Sequence, residues 1–303
     1  MLIFETLLPI FGLIVIGLLF KRFGFPGDAF WVLADRLTYY ALLPALLFSH
    51  LATASFAGLA VARMAGGMVL ALVILASGLL LTRRWIEPDR PRFTSLFQGS
   101  IRPNSYVGIA AGGALYGAEG LALTAIAIAA VIPLVNLLSV LVLGHYLSLE
   151  PTRMRRLLGT IVKNPLILAC VFGLGMNGLD LGVPETLGST LGLLSRAALP
   201  LGLLSVGSGL NLRSMGVASL PMVLASVLKL LVAPLLTGIA CSTAGVGGAA
   251  LTIAVLYAAL PGSASSYILA AQMGGDSKLM AAIITVETIA SMFTLPLLLN
   301  LLL

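Results

Sequence analysis

The stretch "IRPNSYVGIA", Ile101–Ala110, sets an arginine, a proline and an asparagine side by side inside an otherwise apolar run. In lipid, a proline within a helix removes one backbone hydrogen bond and crowds the carbonyl one turn back, freeing polar groups that hydrocarbon cannot satisfy. The stretch itself offers local partners in Asn104 and Ser105, and Arg102 adds a positive charge. A second run, "ALPGSASSY" (Ala259–Tyr267), repeats the pattern with Gly262, Ser263, Ser265 and Ser266 following Pro261. Proline is favoured as the first residue of a helix, and small polar side chains beside it cap exposed N–H groups. Each stretch therefore reads as two half-helices meeting at Pro103 or at Pro261; the alternative is that both prolines only kink helices for packing.

The surroundings decide the solvent. Of 303 residues, 59% are hydrophobic and 9% charged, against roughly 25% charged in a soluble domain. A membrane-crossing helix needs about 20 largely apolar residues. The chain offers ten such runs, over 2–20, 32–51, 63–82, 93–117, 121–146, 161–178, 186–209, 214–242, 248–273 and 279–302. The expected fold class is an all-α membrane protein of ten transmembrane helices, with helices 4 and 9 broken. The longest polar connection, Leu147–Thr160, leaves no room for a soluble domain. The first run has no basic segment before it and no small-residue cleavage site, and is expected to be a retained helix.

Charge sets the orientation. With the N-terminus outside, the inner segments hold Lys21, Arg22, Arg36, Arg83, Arg84, Arg90, Arg92, Arg153, Arg155, Arg156, Lys163, Arg213 and Lys278, and the outer segments hold only Arg63. Basic residues favour the cytoplasmic side, so both termini are expected outside a multi-pass inner (cytoplasmic) cell membrane. The net charge of +6 is then mainly a topology signal, and no nucleic-acid partner is expected. Cys170 and Cys241 lie in apolar runs as small buried hydrophobes. His50 and His145 stand far apart, so no metal and no resident cofactor is expected.

The prolines repeat. Pro9 and Pro165 differ by 156, Pro26 and Pro184 by 158, Pro44 and Pro200 by 156, and Pro103 and Pro261 by 158. Around the third pair, "LPALLFS" (Leu43–Ser49) matches "LPLGLLS" (Leu199–Ser205) as L-P-x-x-L-x-S. This spacing divides the chain into a first repeat, 1–146, a cytoplasmic connector, 147–160, and a second repeat, 161–303. An odd number of crossings per half makes the second copy inverted, an architecture that puts a substrate site near the bilayer midplane at discontinuous helices. The second halves of helices 4 and 9 would then start together and run to opposite faces. Their N-termini carry unpaired N–H groups and partial positive charge, which suits an anion, notably a carboxylate.

Other residues near mid-depth fit that reading. Arg102, Arg196 and Lys229 are basic there and Glu287 is acidic. Ionisable groups in lipid usually face a polar interior. Arg102 or Lys229 could compensate an anionic substrate. Glu287 either carries a coupling proton or sits in a fixed salt bridge. Asn164, before Pro165, reads as a helix cap or as an amide for substrate. Gly112, Gly113 and the glycines of "SVGSGL" and "AGVGGAA" are expected to allow close helix packing.

Together "IRPNSYVGIAAGGALYG", "KNPLILACVFGLG", "LPLGLLSVGSGL", "LKLLVAPLL" and "LPGSASSYILA" resemble the auxin efflux carrier family over essentially the whole chain. That family includes plant auxin exporters and bacterial permeases for malonate, malate and similar carboxylates. The resemblance implies two inverted five-helix repeats, crossing at the prolines of helices 4 and 9 as in bile-acid/sodium symporters. It also implies scaffold and core transport domains, each drawn from both repeats, an elevator cycle, and often a homodimer. The family's carboxylate-holding asparagines map onto Asn104 and Asn164. Plant exporters have a long loop after helix 5 where this chain has only "SLEPTRMRRLLGT", so their regulation and aromatic preference do not carry over.

The expected function is a secondary carrier of small organic anions, with Asn104, Asn164, Ser105, Ser263, Ser265, Arg102 and Lys229 around the substrate, Pro103 and Pro261 breaking the helices, and coupling to H+, Na+ or neither. The rivals are a sodium-coupled, bile-acid-like symporter, a channel or sensor, and an intramembrane enzyme. Against the enzyme, the sequence has no facing pair of aspartates, no H-E-x-x-H and no serine–histidine pair at common depth.

Overall fold

The structure is a computed structural model describing residues 2–55, 60–148, 159, 163–216 and 219–302, and it is all helical. In chain order the helices are α1 (Leu2–Arg22), α2 (Asp28–Leu37), α3 (Leu43–Thr53), α4 (Val61–Ile86), α5 (Arg90–Ile101), α6 (Ser105–Tyr146), α7 (Pro165–Gly178), α8 (Glu185–Ser208), α9 (Leu220–Val227), α10 (Ala233–Thr243), α11 (Gly248–Ala258), α12 (Ala264–Met273) and α13 (Ser277–Leu302). Among the described residues, six helical stretches are long and apolar enough to cross a membrane: Phe4–Arg22, Val61–Ile86, Ser105–Tyr146, Glu185–Ser208, Leu220–Thr243 and Ser277–Leu301. Most of the connector 147–160 lies outside the described residues.

Several elements show why the apolar runs are subdivided. α6, 42 residues in all, is two helical arms rather than one rod. It turns at Gly117 (φ 56°, ψ −133°), a backbone conformation that a side chain disfavours. Two wide π-helical turns, Thr38–Leu42 and Leu228–Val232, precede α3 and α10. Each is followed by a proline, Pro44 or Pro234. Proline cannot donate to the carbonyl four residues back and its ring crowds it; those carbonyls, of Tyr40 and Leu230, lie inside the wide turns, which take up one extra residue.

The chain forms two compact units, each drawn from separate stretches. The first comprises Met1–Val61, Tyr106–Ala129 and Lys163–Leu210. Here α1 packs along α8, and α3 along α7 and α8. The α1–α8 approach is backbone to backbone: a Cβ on Gly17 would lie 2.0 Å from the Leu204 carbonyl oxygen, and one on Gly207 1.9 Å from that of Ile14. Asn177 closes the end of α3, its Nδ2 donating to the carbonyls of Ala52 (3.2 Å) and Ala54 (2.8 Å).

The second unit comprises Ala62–Ser105, Ala130–Val162 and Asn211–Leu303. Gly67 in α4 lets Cys241 of α10 approach, a Cβ there lying 2.7 Å from its Sγ. Gly99 of α5 makes room for Ile283 of α13 in the same way. The Arg83 guanidinium lies over the Tyr146 ring at 4.5 Å and the Phe93 ring at 5.6 Å, and donates to the Pro88 carbonyl. Cys170 and Cys241 are buried free thiols. The glycines of "AGVGGAA" depart from expectation: Gly245 and Gly248 have φ of 73° and 57°, and Gly247 and Gly248 have nothing within contact range. They make a turn between α10 and α11, where positive φ is needed, rather than a packing face.

Candidate substrate site at two helix breaks

The site grows from two interruptions inside the second unit. α5 ends at Ile101 and α6 begins at Ser105; α11 ends at Ala258 and α12 begins at Ala264. The interrupted backbones meet as an isolated antiparallel bridge between Pro103 and Gly262. The Asn104 N–H donates to the Pro261 carbonyl at 2.8 Å. In an unbroken helix that N–H would bond to Ser100, so a donor freed by one break is satisfied by the other.

Small polar side chains finish the break ends, as their capping chemistry dictates. Ser263 caps α12, its Oγ accepting from the Ser265 N–H at 3.4 Å and lying 2.9 Å from the Ser265 hydroxyl. Arg102 Nη2 donates to Ser265 Oγ at 3.0 Å. The hydroxyls of Ser105 and Tyr257 lie 3.2 Å apart. Asn104, Arg102 and Ser105 are buried, while Ser263 is half-buried and Ser265 exposed.

Two further charges reach the break of the second interrupted helix. Lys229 Nζ, from the wide turn before α10, donates to the Ala258 carbonyl at 3.0 Å. Glu287 of α13 accepts from the Gly262 N–H at 2.7 Å. Both side chains are buried, at 2% and 0% exposure. Arg102, Lys229 and Glu287 together leave one excess positive charge at the breaks, which suits an anion. A cavity of about 30 Å³, lined among others by Lys229, Ser100, Pro103, Thr237 and Tyr257, adjoins the Lys229–Ala258 contact and has room for water.

Of the residues singled out by sequence, Arg102, Pro103, Asn104, Ser105, Lys229, Pro261, Ser263, Ser265 and Glu287 gather in this one unit. Asn164 belongs to the other unit. There it caps α7, its Oδ1 accepting from the N–H groups of Leu166 (2.9 Å) and Ile167 (3.4 Å). Arg196, on α8, is exposed. One acid escaped the sequence reading: Asp35 of α2 is half-buried, faces Ser205 and lies within electrostatic reach of Tyr106. Its spacing from Trp31 and Thr38, both buried, places it on the inner face at i+4 and i−3, a signal hidden by the neighbouring Arg36.

Two comparisons bear on what these elements do. The family described as membrane transport protein matches residues 150–299. An uncharacterized transporter of Methanothermobacter thermautotrophicus is 26% identical over 302 residues, covering 97% of this chain and 96% of that one. These likenesses, with helices long and apolar enough to cross a membrane, support a multi-pass membrane protein that is similar to transporters.

Proposed function

We propose that this transporter is a secondary carrier of small organic anions, carboxylates of the malonate, malate or auxin class, working by alternating access. The observation that carries the reading is the meeting of two broken helices at Pro103 and Pro261, which brings the beginnings of α6 and α12 together beside Arg102. The partial positive charge of helix beginnings and an excess positive charge beside them favour a carboxylate over a cation or neutral solute. In this reading Asn104 and Asn164 hold the carboxylate by amide donors, Ser105, Ser263 and Ser265 cap or touch it, and Arg102 compensates its charge.

The same reading takes the chain as ten spans in two inverted five-helix repeats, with both termini outside the cytoplasmic membrane. The two compact units, each assembled from both halves of the sequence, support a scaffold and a moving core sliding as an elevator, in a homodimer. Purified protein screened by thermal shift against carboxylates, followed by counterflow in liposomes, tests it. Malonate-type anions should raise the melting temperature of the parent protein, and Asn104→Ala should abolish that rise while the protein stays folded. Absence of stabilisation by any carboxylate, or full stabilisation of Asn104→Ala, refutes the reading; sodium dependence of uptake would favour a cation-coupled symporter.

A further inference from the structure

In a continuous helix the Gly262 N–H would donate to the carbonyl four residues back, that of Ala258. Here the two halves of that single bond are separated, and each has been taken by a buried charge from a different part of the unit. Ala258 accepts from Lys229 Nζ at 3.0 Å, and Gly262 donates to Glu287 at 2.7 Å. The match of chemistry is complete: a carbonyl at a helix C-terminus favours a cation, and a lone N–H favours a carboxylate. Within the described residues the ion pairs closer than 4 Å are Lys21–Asp28 and Arg92–Glu87, so Lys229 and Glu287 are joined through the break rather than by direct contact.

The surroundings are built for this arrangement. Lys229 sits in the wide turn Leu228–Val232, where one extra residue shifts the faces of the helix before and after it by about 100° relative to each other. Gly262 has no side chain to obstruct the carboxylate, and a Cβ there would lie 2.8 Å from Glu287 Oε2. The other buried charge at the breaks, Arg102, is bonded to Ser265. Both backbone atoms would otherwise lack a protein partner or would rejoin each other.

We propose that Lys229 and Glu287 are positioning residues that together hold the second helix break open, by occupying the acceptor and the donor of one of the hydrogen bonds that a continuous helix would form across it. They do not touch the carried anion. Their effect on binding runs through the start of α12, which a re-formed Ala258–Gly262 bond would draw toward the end of α11. The binding arm of the test rests on the anion-carrier reading, but the stability arm does not.

The test uses the full-length protein in detergent, with malonate as the anion probe and methylammonium as a stand-in for the lost amine. Lys229→Ala and Glu287→Ala should each weaken malonate binding by about tenfold, the loss of one charge-assisted hydrogen bond. Glu287→Gln, whose amide oxygen still accepts from Gly262, should stay within about threefold of the parent. Methylammonium should raise the melting temperature of Lys229→Ala, leaving that of the parent and of Lys229→Ala/Glu287→Ala unchanged. Gly207→Ala, a packing variant of the other unit, should lose stability without losing affinity. Parent-like affinity in both alanine variants, affinity falling only in step with melting temperature as in the Gly207 control, or absence of the amine response overturns the inference. If malonate fails to bind the parent, the anion reading falls, and the methylammonium response alone decides the role of the pair.

Discussion

Replacing Gly207 by alanine tests the packing of α1 on α8 most directly. The added Cβ would lie 1.9 Å from the Ile14 carbonyl oxygen, 2.8 Å from its carbon and 2.9 Å from the Leu18 nitrogen, where ordinary contact begins at 3.4 Å. The shortfall, 3.4 − 1.9 = 1.5 Å, is against backbone and cannot be relieved by a rotamer change. The helices must part by about that distance, and a gap of ~0.5–1 Å already forfeits a quarter to a half of each contact along the seam. Overpacking costs about 1–3 kcal/mol, and this site belongs at the upper end. A loss of ~3 kcal/mol lowers the melting temperature by about 5–10 °C in a chain of this size. The reciprocal contact of Gly17 with Leu204 makes the reasoning sharper. One parting of the helices accommodates both methyls, so Gly17→Ala/Gly207→Ala should be little worse than the poorer single variant. Gly12→Ala, on the same helix with nothing within 4 Å, should be neutral or stabilising by ~0.5–1 kcal/mol. Thermal unfolding of the detergent-solubilised protein reads all four; strictly additive losses, or a Gly207 variant within ~0.5 kcal/mol of the parent, refute the backbone-contact argument.

Substitutions at two further positions separate roles. Asn164→Ala should lose about 1 kcal/mol from the uncapped start of α7, whereas Asn164→Asp keeps the acceptor and the stability; because the aspartate has no amide donor, its malonate stabilisation should vanish even so, as measured by thermal shift with and without the anion. Asn177→Ala strips the donor from the carbonyls of Ala52 and Ala54 and should cost ~1–3 kcal/mol, read as a lower melting temperature with unchanged anion response.

The helical runs were legible because about twenty apolar residues in succession leave a membrane chain few alternatives. The breaks were legible at Pro103 and Pro261 because each proline is followed by small polar residues that cap a new helix start, whereas Pro9, Pro133, Pro200 and Pro296, without that sequel, stay inside helices. What occupies the freed groups was not. Lys229 and Ala258 are 29 residues apart, and Gly262 and Glu287 25 apart, and the side chain of Lys229 is aimed by a wide turn whose cause, Pro234, lies five residues later. Asp35 was missed because its charged neighbour Arg36 suggested a membrane edge. The glycines of "AGVGGAA" were misread because small residues serve both packing and turns, and only the dihedral angles of Gly245 and Gly248 distinguish the two.

The reversal of α6 on Gly117 has a consequence for how the chain can be probed. Its tip, Gly117 to Glu119, is exposed, yet it contains no slack. The two arms begin touching at once, a Cβ on Gly120 lying 1.9 Å from the Gly112 carbonyl oxygen, and the turning residue occupies dihedral space that only glycine tolerates well. A sidedness reporter or affinity tag spliced into this corner would have to slide one arm past the other, so such insertions belong at other corners of the molecule.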